Sequence, residues 1–328
     1  MKQHRCVFEC PSLKCPVTSH VQVVQDCPEI VILRAWYGIS RVVQAPLGNN
    51  LIQLVSAVRF AQFHSALLCL PEHPFLKNPA FLDFRSSGDT SMPLLDCWSS
   101  SDQDNQQGRC RRVIIDDFFG AVSGAGLSNW SNIDARRILT SFVLPWVDRE
   151  EVAHVGDDTL VMHVRSGDAF TKRHDGGNSD RNGWYYQPPA CFYRSAVLES
   201  DAFDIILVTE PDQSNPVIKV LQRWLVEVGR NVTIQTESLR FDVSTMLAAR
   251  HFAIGVGTFG WMLSLLSDNI ERLYTMEWHD PVAWDAPYSI MEYRYPNYKK
   301  WWSSSEERAY NMLTHHCLDE ELRVHGGQ

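Results

Sequence analysis

A chain of 328 residues with a hydrophobic fraction of 45% can build a sizeable core and is long enough for two domains or one large α/β domain. Its formal net charge of -9 excludes nucleic acid as the main partner, because phosphate backbones are met by basic faces; the cluster Arg109, Arg111, Arg112 reads as a loop edge. No apolar run of about 18 residues exists, so no transmembrane span is expected in this chain, and no hydrophobic targeting segment is visible at its start.

Residues 1–29 read as an irregular arm crowded with Cys6, Cys10, Cys15 and Cys27. Zinc sites want paired short spacings that this group lacks, so disulfides are expected for part of it and for Cys97 with Cys110, which bracket a polar loop. Cys69 lies in an apolar run and is expected to be a buried thiol. Two glycosylation sequons, Asn129-Trp130-Ser131 and Asn231-Val232-Thr233, agree with the cysteines in pointing to the secretory pathway.

Residues 30–150 are expected to form a first domain. Ile30 to Tyr37 reads as a strand, and Gly48-Asn49-Asn50 as a turn before an amphipathic helix carrying Leu51, Leu54, Val55, Val58 and Ala61. A helix start after glycine can cradle an anion with its free N–H groups, or the glycine can simply cap the helix. Ser65 to Pro71 and Val113-Ile114-Ile115 read as strands. Asp116-Asp117 reads as a solvated strand end, since it lacks the aspartate–any–aspartate spacing of metal-dependent sugar transferases. Arg136 to Trp146 is a helix closed by Pro145.

From residue 151 to 302 strand and helix alternate regularly. Leu160 to Val164 reads as a buried parallel strand. It turns abruptly polar at Arg165-Ser166-Gly167-Asp168. Pro188-Pro189 opens a helix, Asp204 to Thr209 is a strand, and Asn215-Pro216 caps a helix that ends at Gly229. Val232 to Ile234 is a strand, Asp242 caps a helix with Met246 and Leu247, and Phe252 to Val256 is a strand. Gly257-Thr258-Phe259-Gly260-Trp261 turns into a helix, and Leu273 to Met276 is the last strand. The series predicts an α/β fold with a doubly wound, mostly parallel sheet in the C-terminal half. Residues 303–328 are set apart as a tail, and the aromatic segment Tyr293 to Trp302 is expected to pack rather than bind.

In such a sheet, ligands sit beyond the carboxyl ends of the strands. Arg165 could grip a diphosphate in a fork of parallel hydrogen bonds, or serve a solvated turn. Thr258 at a helix start offers a hydroxyl and N–H groups to phosphate. Asp242 either accepts from a guanine edge or a ribose, or only caps its helix.

In their order, Gly48-Asn49-Asn50, His163-Val164-Arg165-Ser166-Gly167-Asp168, Asp242…Met246 and Gly257-Thr258-Phe259-Gly260 resemble the α1,2-fucosyltransferases. They are more distantly similar to the α1,6- and protein O-fucosyltransferases. The His-x-Arg-x-Gly-Asp element carries most of that resemblance. It implies two Rossmann-like domains of the GT-B kind and metal-independent, inverting transfer of L-fucose from GDP-fucose to a glycan hydroxyl, most simply in α1,2 linkage. No cofactor or metal is implied. The implied partners are a nucleotide sugar and a glycan or glycoprotein acceptor, and the implied compartment is the Golgi lumen.

Carried onto this chain, the resemblance gives Arg165 the β-phosphate and the charge on departing GDP, with His163 positioning the sugar or diphosphate. Asp168 becomes the nearest candidate for a general base. Gly48, Asn49, Asp242, Thr258 and Phe259 would line the nucleotide. Two departures stand out: Ser166 replaces the family's second arginine, and Ala45-Pro46-Leu47 replaces its leading glycine pair. The insertion Thr171 to Gln187, with Trp184-Tyr185-Tyr186, is assigned to acceptor recognition because aromatic rings offer faces to sugars. Alternatives within this frame are a different nucleotide-sugar donor, or a non-catalytic glycan- or nucleotide-binding homologue.

Overall fold

The structure, a computed structural model, describes residues 30–33, 47–63, 65–70, 73, 81–83, 112–115, 132–147, 155–170, 187–277, 286–295, 298, 305–317 and 320–326. The arm to residue 29, Cys97 and Cys110, Asp116-Asp117, the Asn129 sequon and all but the last residue of the Thr171–Gln187 insertion lie outside them. Two compact units divide the chain, Met1–Asn129 and Trp130–Gln328.

The first unit holds a four-stranded sheet in the order β3-β2-β1-β4, from β1 (Ile30–Leu33), β2 (Leu67–Cys69), β3 (Phe81–Asp83) and β4 (Arg112–Ile115). β1 runs parallel to β2 and β4, while β3 is antiparallel to β2. The long helix α1 (Leu47–Phe63) is buried on almost every side rather than along one stripe, with Gln53 and Ser56 sunk beside Leu51, Val55 and Val58. Its first turn already contains Gly48, Asn49 and Asn50, which sequence reasoning had placed in a preceding loop. Burial of Leu47 and a hydrogen bond between Asn50 Oδ1 and His73 Nε2 (3.2 Å) draw that turn into the fold. Burial holds the His73 pKa down to about 4, so this imidazole is neutral and donates to the amide oxygen.

The second unit is built on seven strands in the order β11-β10-β9-β8-β5-β6-β7. They are β5 (Thr159–His163), β6 (Asp204–Val208), β7 (Asn231–Gln235), β8 (His251–Ile254), β9 (Arg272–Met276), β10 (Ser289–Arg294) and β11 (Glu321–His325). Every pairing is parallel except β10 with β11. This is the doubly wound, mostly parallel α/β sheet expected from the alternation of elements. β5 is buried at all five residues, as a strand covered on both faces must be.

One layer of helices comprises α3 (Ala190–Ser200), α4 (Pro216–Glu227) and α7 (Ser305–Thr314), packed on one another. The opposite layer has α2 (Asn132–Ile138, continuing as tighter and wider turns to Trp146), α5 (Leu239–Ala248) and α6 (Thr258–Leu266). The segment through Trp146 therefore belongs to the second unit, although sequence reasoning attached it to the first. Arg136 fixes it there by donating to the carbonyls of Leu265 (3.3 Å) and Ser267 (2.7 Å) and lying over the Tyr288 ring.

Two strands follow the one expected to be last. β10 is a buried run, and β11, set apart in the sequence as a tail, pairs with it along five residues. Tyr293, Tyr295 and Tyr298 are buried in the core, while Trp301 and Trp302 of the same aromatic segment lie outside the described residues. Cys191 in α3 and Cys317 after α7 form a disulfide, a pairing across 126 residues that the sequence reading did not anticipate.

Candidate functional site

β5 is the pivot of the larger sheet. The chain leaves it through α3 to β6 and through α4 to β7, then returns as β8 on the other side of β5. Connections leaving β5 and β8 therefore diverge, and a crevice opens beyond their carboxyl ends, where ligands gather in such sheets. The register pairs His163 with Ile254, so Arg165 and Gly257 emerge at neighbouring levels.

At this point five of the residues singled out in the sequence, His163, Arg165, Gly257, Thr258 and Phe259, come together. Gly257 has φ 137° and ψ 167°, a conformation open essentially to glycine alone. A Cβ on it would lie 3.2 Å from Arg165 Nη1, so the guanidinium reaches across the residue that caps α6. Thr258 is the first residue of that helix, and the N–H groups of a first turn have no partners within the helix. The His163 ring stands edge-on to Phe259 with centroids 5.1 Å apart.

His163 is buried, and its Nδ1 has no hydrogen-bond partner among the described residues. Burial, reinforced by the Arg165 charge, holds its pKa down to about 3. At neutral pH it is an uncharged imidazole that can donate or accept one hydrogen bond but not supply a second cation.

The Arg165 loop is fastened to the loop between β6 and α4, a feature the sequence reading missed. Asn215 caps α4 by accepting from Val217 N (2.9 Å), and the same side chain donates from Nδ2 to Arg165 O (2.8 Å). Ser166 Oγ, fully buried, accepts from Asn215 N at 3.0 Å and meets Ser214 Oγ at 3.0 Å. The next two amides of the loop donate to carboxylates: Ser166 N to Glu210 Oε2, and Gly167 N to Asp212 Oδ1 at 3.0 Å. Slight burial raises the Asp212 pKa, but bonds from Ser214, Ser166 and Gly167 outweigh it and hold the carboxyl below its ordinary value. The signal in the sequence was Glu210-Pro211-Asp212-Gln213-Ser214-Asn215-Pro216, a polar turn at the end of the neighbouring strand, of which only the helix cap was recognised.

Two further polar groups lie under the crevice. Tyr193 OH and Gln187 Oε1 are buried without hydrogen-bond partners among the described residues, each within 3.4 Å of where a Cβ on Gly255 would stand. Burial, then the charge of Glu210, raises the Tyr193 pKa, so it remains a neutral hydroxyl.

The remaining candidates are placed elsewhere or only in part. Asp168 lies in the short turn Gly167–Ala169 directly after Arg165, and its side chain is outside the described residues. Asp242 is not the cap of its helix. Ser238 is, accepting from Phe241 N at 3.2 Å, while Asp242 in the first turn accepts from Gln235 Nε2 at 2.7 Å. Burial raises the Asp242 pKa, against the Gln235 bond that lowers it. Gln235 ends β7, two strands from β5, or about 10 Å at the usual strand spacing. Gly48 and Asn49 belong to the first unit, in the first turn of α1. Among the described residues, Cys191, His315 and Cys317 could group around a metal, but the disulfide consumes both thiolates.

No family model matches the chain, and no curated protein matches it. Three solved structures do. A crystal structure of POFUT1 in complex with GDP-fucose is 11% identical, with a TM-score of 0.40, over 78% of this chain and 99% of that one. POFUT1 in complex with GDP matches at the same identity and TM-score over 76% and 98%. A likeness this faint leaves function to be argued from the residues.

Proposed function

We propose that the chain is an inverting, metal-independent glycosyltransferase that moves L-fucose from GDP-fucose to a glycan hydroxyl, with α1,2 linkage the first to test, in the lumen of the secretory pathway. The observation that carries this reading is the Arg165 guanidinium at the carboxyl end of the pivot strand, lying against the glycine that caps α6. A fixed cation and a helix N-terminus converge there on one crevice, and both favour a diphosphate.

In this reading Arg165 and the α6 N-terminus, with Thr258, hold the β-phosphate. The acceptor oxygen attacks the anomeric carbon from the face opposite the diphosphate. The bond between that carbon and the β-phosphate oxygen breaks, and GDP leaves carrying the electron pair. Arg165 offsets the charge that develops on the leaving oxygen, which is preorganised electrostatic catalysis. The hydroxyl proton passes to a base, for which Asp168 is the candidate by its place in the chain. Neutral His163 orients donor oxygens through Nδ1, and Phe259 fixes the plane of its ring. Asp242 is assigned to the nucleotide side.

The test is release of GDP from GDP-fucose with a galactoside-terminated acceptor, run with and without a chelator. Turnover that survives chelation and is lost in Arg165→Ala supports the proposal. Turnover that Arg165→Ala leaves intact removes the phosphate role on which it rests.

A second reading is a homologue that binds a nucleotide sugar without turning it over. The carboxylates of Glu210 and Asp212 favour it, since they already occupy two loop amides that a phosphate would otherwise take. Binding of GDP with no release of GDP from any donor in a panel of nucleotide sugars would select this reading.

A further inference from the structure

The second sequon lies at a built surface position that the site chemistry does not use. Asn231 and Thr233 point to the same side of β7 by the two-residue period of a strand, and both are exposed. Among the described residues β7 is an edge of the seven-stranded sheet. Asn231 is its first residue, so it sits at the amino end of the parallel strands, opposite the end that carries Arg165 and Gly257. Along the five residues of β7 that separation is about 15 Å at the usual strand rise.

The local surface suits a bound sugar. The backbone N–H of Asn231 donates to Phe203 O at 3.1 Å, which brings the start of β7 against a phenylalanine left 56% exposed. Around the Gly229 turn just before it, a Cβ would meet nothing within 4 Å. The Asn231 side chain donates from Nδ2 to Asp204 Oδ1 at 2.7 Å. An amide nitrogen carries two hydrogens; replacing one with a sugar leaves the other for Asp204, so the fold need not give up this contact.

We propose that Asn231 carries an N-linked glycan, placed at the end of the sheet remote from the crevice, where it shields Phe203 and an open strand edge. The donor class is an oligosaccharide linked to a lipid diphosphate. The Asn231 amide nitrogen bonds to the anomeric carbon, the carbon–oxygen bond to the diphosphate breaks, and one amide proton is lost. Thr233 supplies the hydroxyl that the sequon requires. The glycan covers apolar surface that otherwise faces water, and it blocks pairing of β7 with a strand of another chain.

The experiment translates the full chain, behind an appended signal sequence, into microsomes and examines the protease-protected product by peptide mass spectrometry before and after peptide-N-glycosidase. A glycan mass on the Asn231 peptide, replaced by aspartate after the enzyme, is the expected result. It should vanish in Asn231→Gln and Thr233→Ala and persist in Thr233→Ser. A protected chain with an unmodified Asn231 peptide overturns the site, whatever happens at Asn129. Glycosylated and deglycosylated protein should then bind GDP equally. A deglycosylated form that binds more tightly overturns the remote placement, whereas GDP binding by neither form strikes the proposed function and leaves the glycan standing.

Discussion

Replacing Asn215 by alanine should be among the most damaging single changes in the second unit, and the structure divides its cost into two parts. The side chain is fully buried and serves two elements, accepting from Val217 N at the start of α4 and donating to the carbonyl of Arg165. Loss of an N-cap costs roughly 1 kcal/mol. Leaving the Arg165 carbonyl without its donor in the interior adds on the order of 2 kcal/mol. A total of about 3 kcal/mol in a unit of this size lowers the melting temperature by roughly 6–12 °C. Asn215→Asp separates the parts, because it keeps the oxygen that caps α4 and loses the nitrogen that holds Arg165. Thermal unfolding of both variants, together with GDP titration, reads the two effects. Alanine should lose stability and GDP affinity; aspartate should keep the cap and still lose affinity, as the loop beneath the guanidinium is released. Should aspartate bind GDP as the unaltered chain does, the idea that this loop aims Arg165 is wrong.

Three other outcomes follow from the same geometry. Gly257→Ala should cost about 1–3 kcal/mol from its backbone conformation and weaken GDP binding, since the new Cβ presses on Arg165; Gly229→Ala, at φ 75° with open space around it, should leave binding unchanged in the same titration. His163 has a folded pKa of about 3 against 6.5 unfolded, so the unfolded chain binds more protons between those values, and stability falls as pH drops below 6.5. Denaturant unfolding at pH 7.5 and pH 5 should differ by about 2 kcal/mol from this residue, a difference that His163→Leu should abolish. Reduction of the Cys191–Cys317 disulfide, or Cys317→Ser, should lower the melting temperature, the bond being worth roughly 2–5 kcal/mol for so long a loop; no shift on reduction would show that the ends are held without it.

The sequence made the middle of the larger sheet legible because its inner strands are covered on both faces. Each reads as an apolar run between turn residues, and β5, β6 and β8 needed nothing more. β11 escaped because its residues are almost all exposed, so it has no apolar run, and only pairing with β10 makes it a strand. Asn215 was recognised as a cap since its partner is two residues away. Its bond to Arg165, 50 residues back, has no local signature. The same holds for Glu210 and Asp212, whose acidic side chains look solvated until the fold turns them onto the amides of a neighbouring loop. Asp242 shows the reverse error: an aspartate near a helix start suggested a cap, while Ser238, four residues earlier, held that position.

The charges around the crevice bear on what it can accept. A nucleoside diphosphate brings anionic oxygens, and the described residues meet them with one guanidinium and one helix N-terminus, while His163 stays neutral and Ser166 adds no charge. Glu210 and Asp212 add negative charge on the other side of the same loop. Their effect depends on how they act. As struts they fix the turn so that Arg165 is aimed before the donor arrives, and preorganisation of that kind favours catalysis. As stand-ins for phosphate they compete with it. Glu210→Gln separates the two, because glutamine can still accept from Ser166 N without the charge. A strut survives that change with little loss of GDP affinity, whereas a competitor yields tighter binding, most visibly at low ionic strength where charge repulsion is least screened.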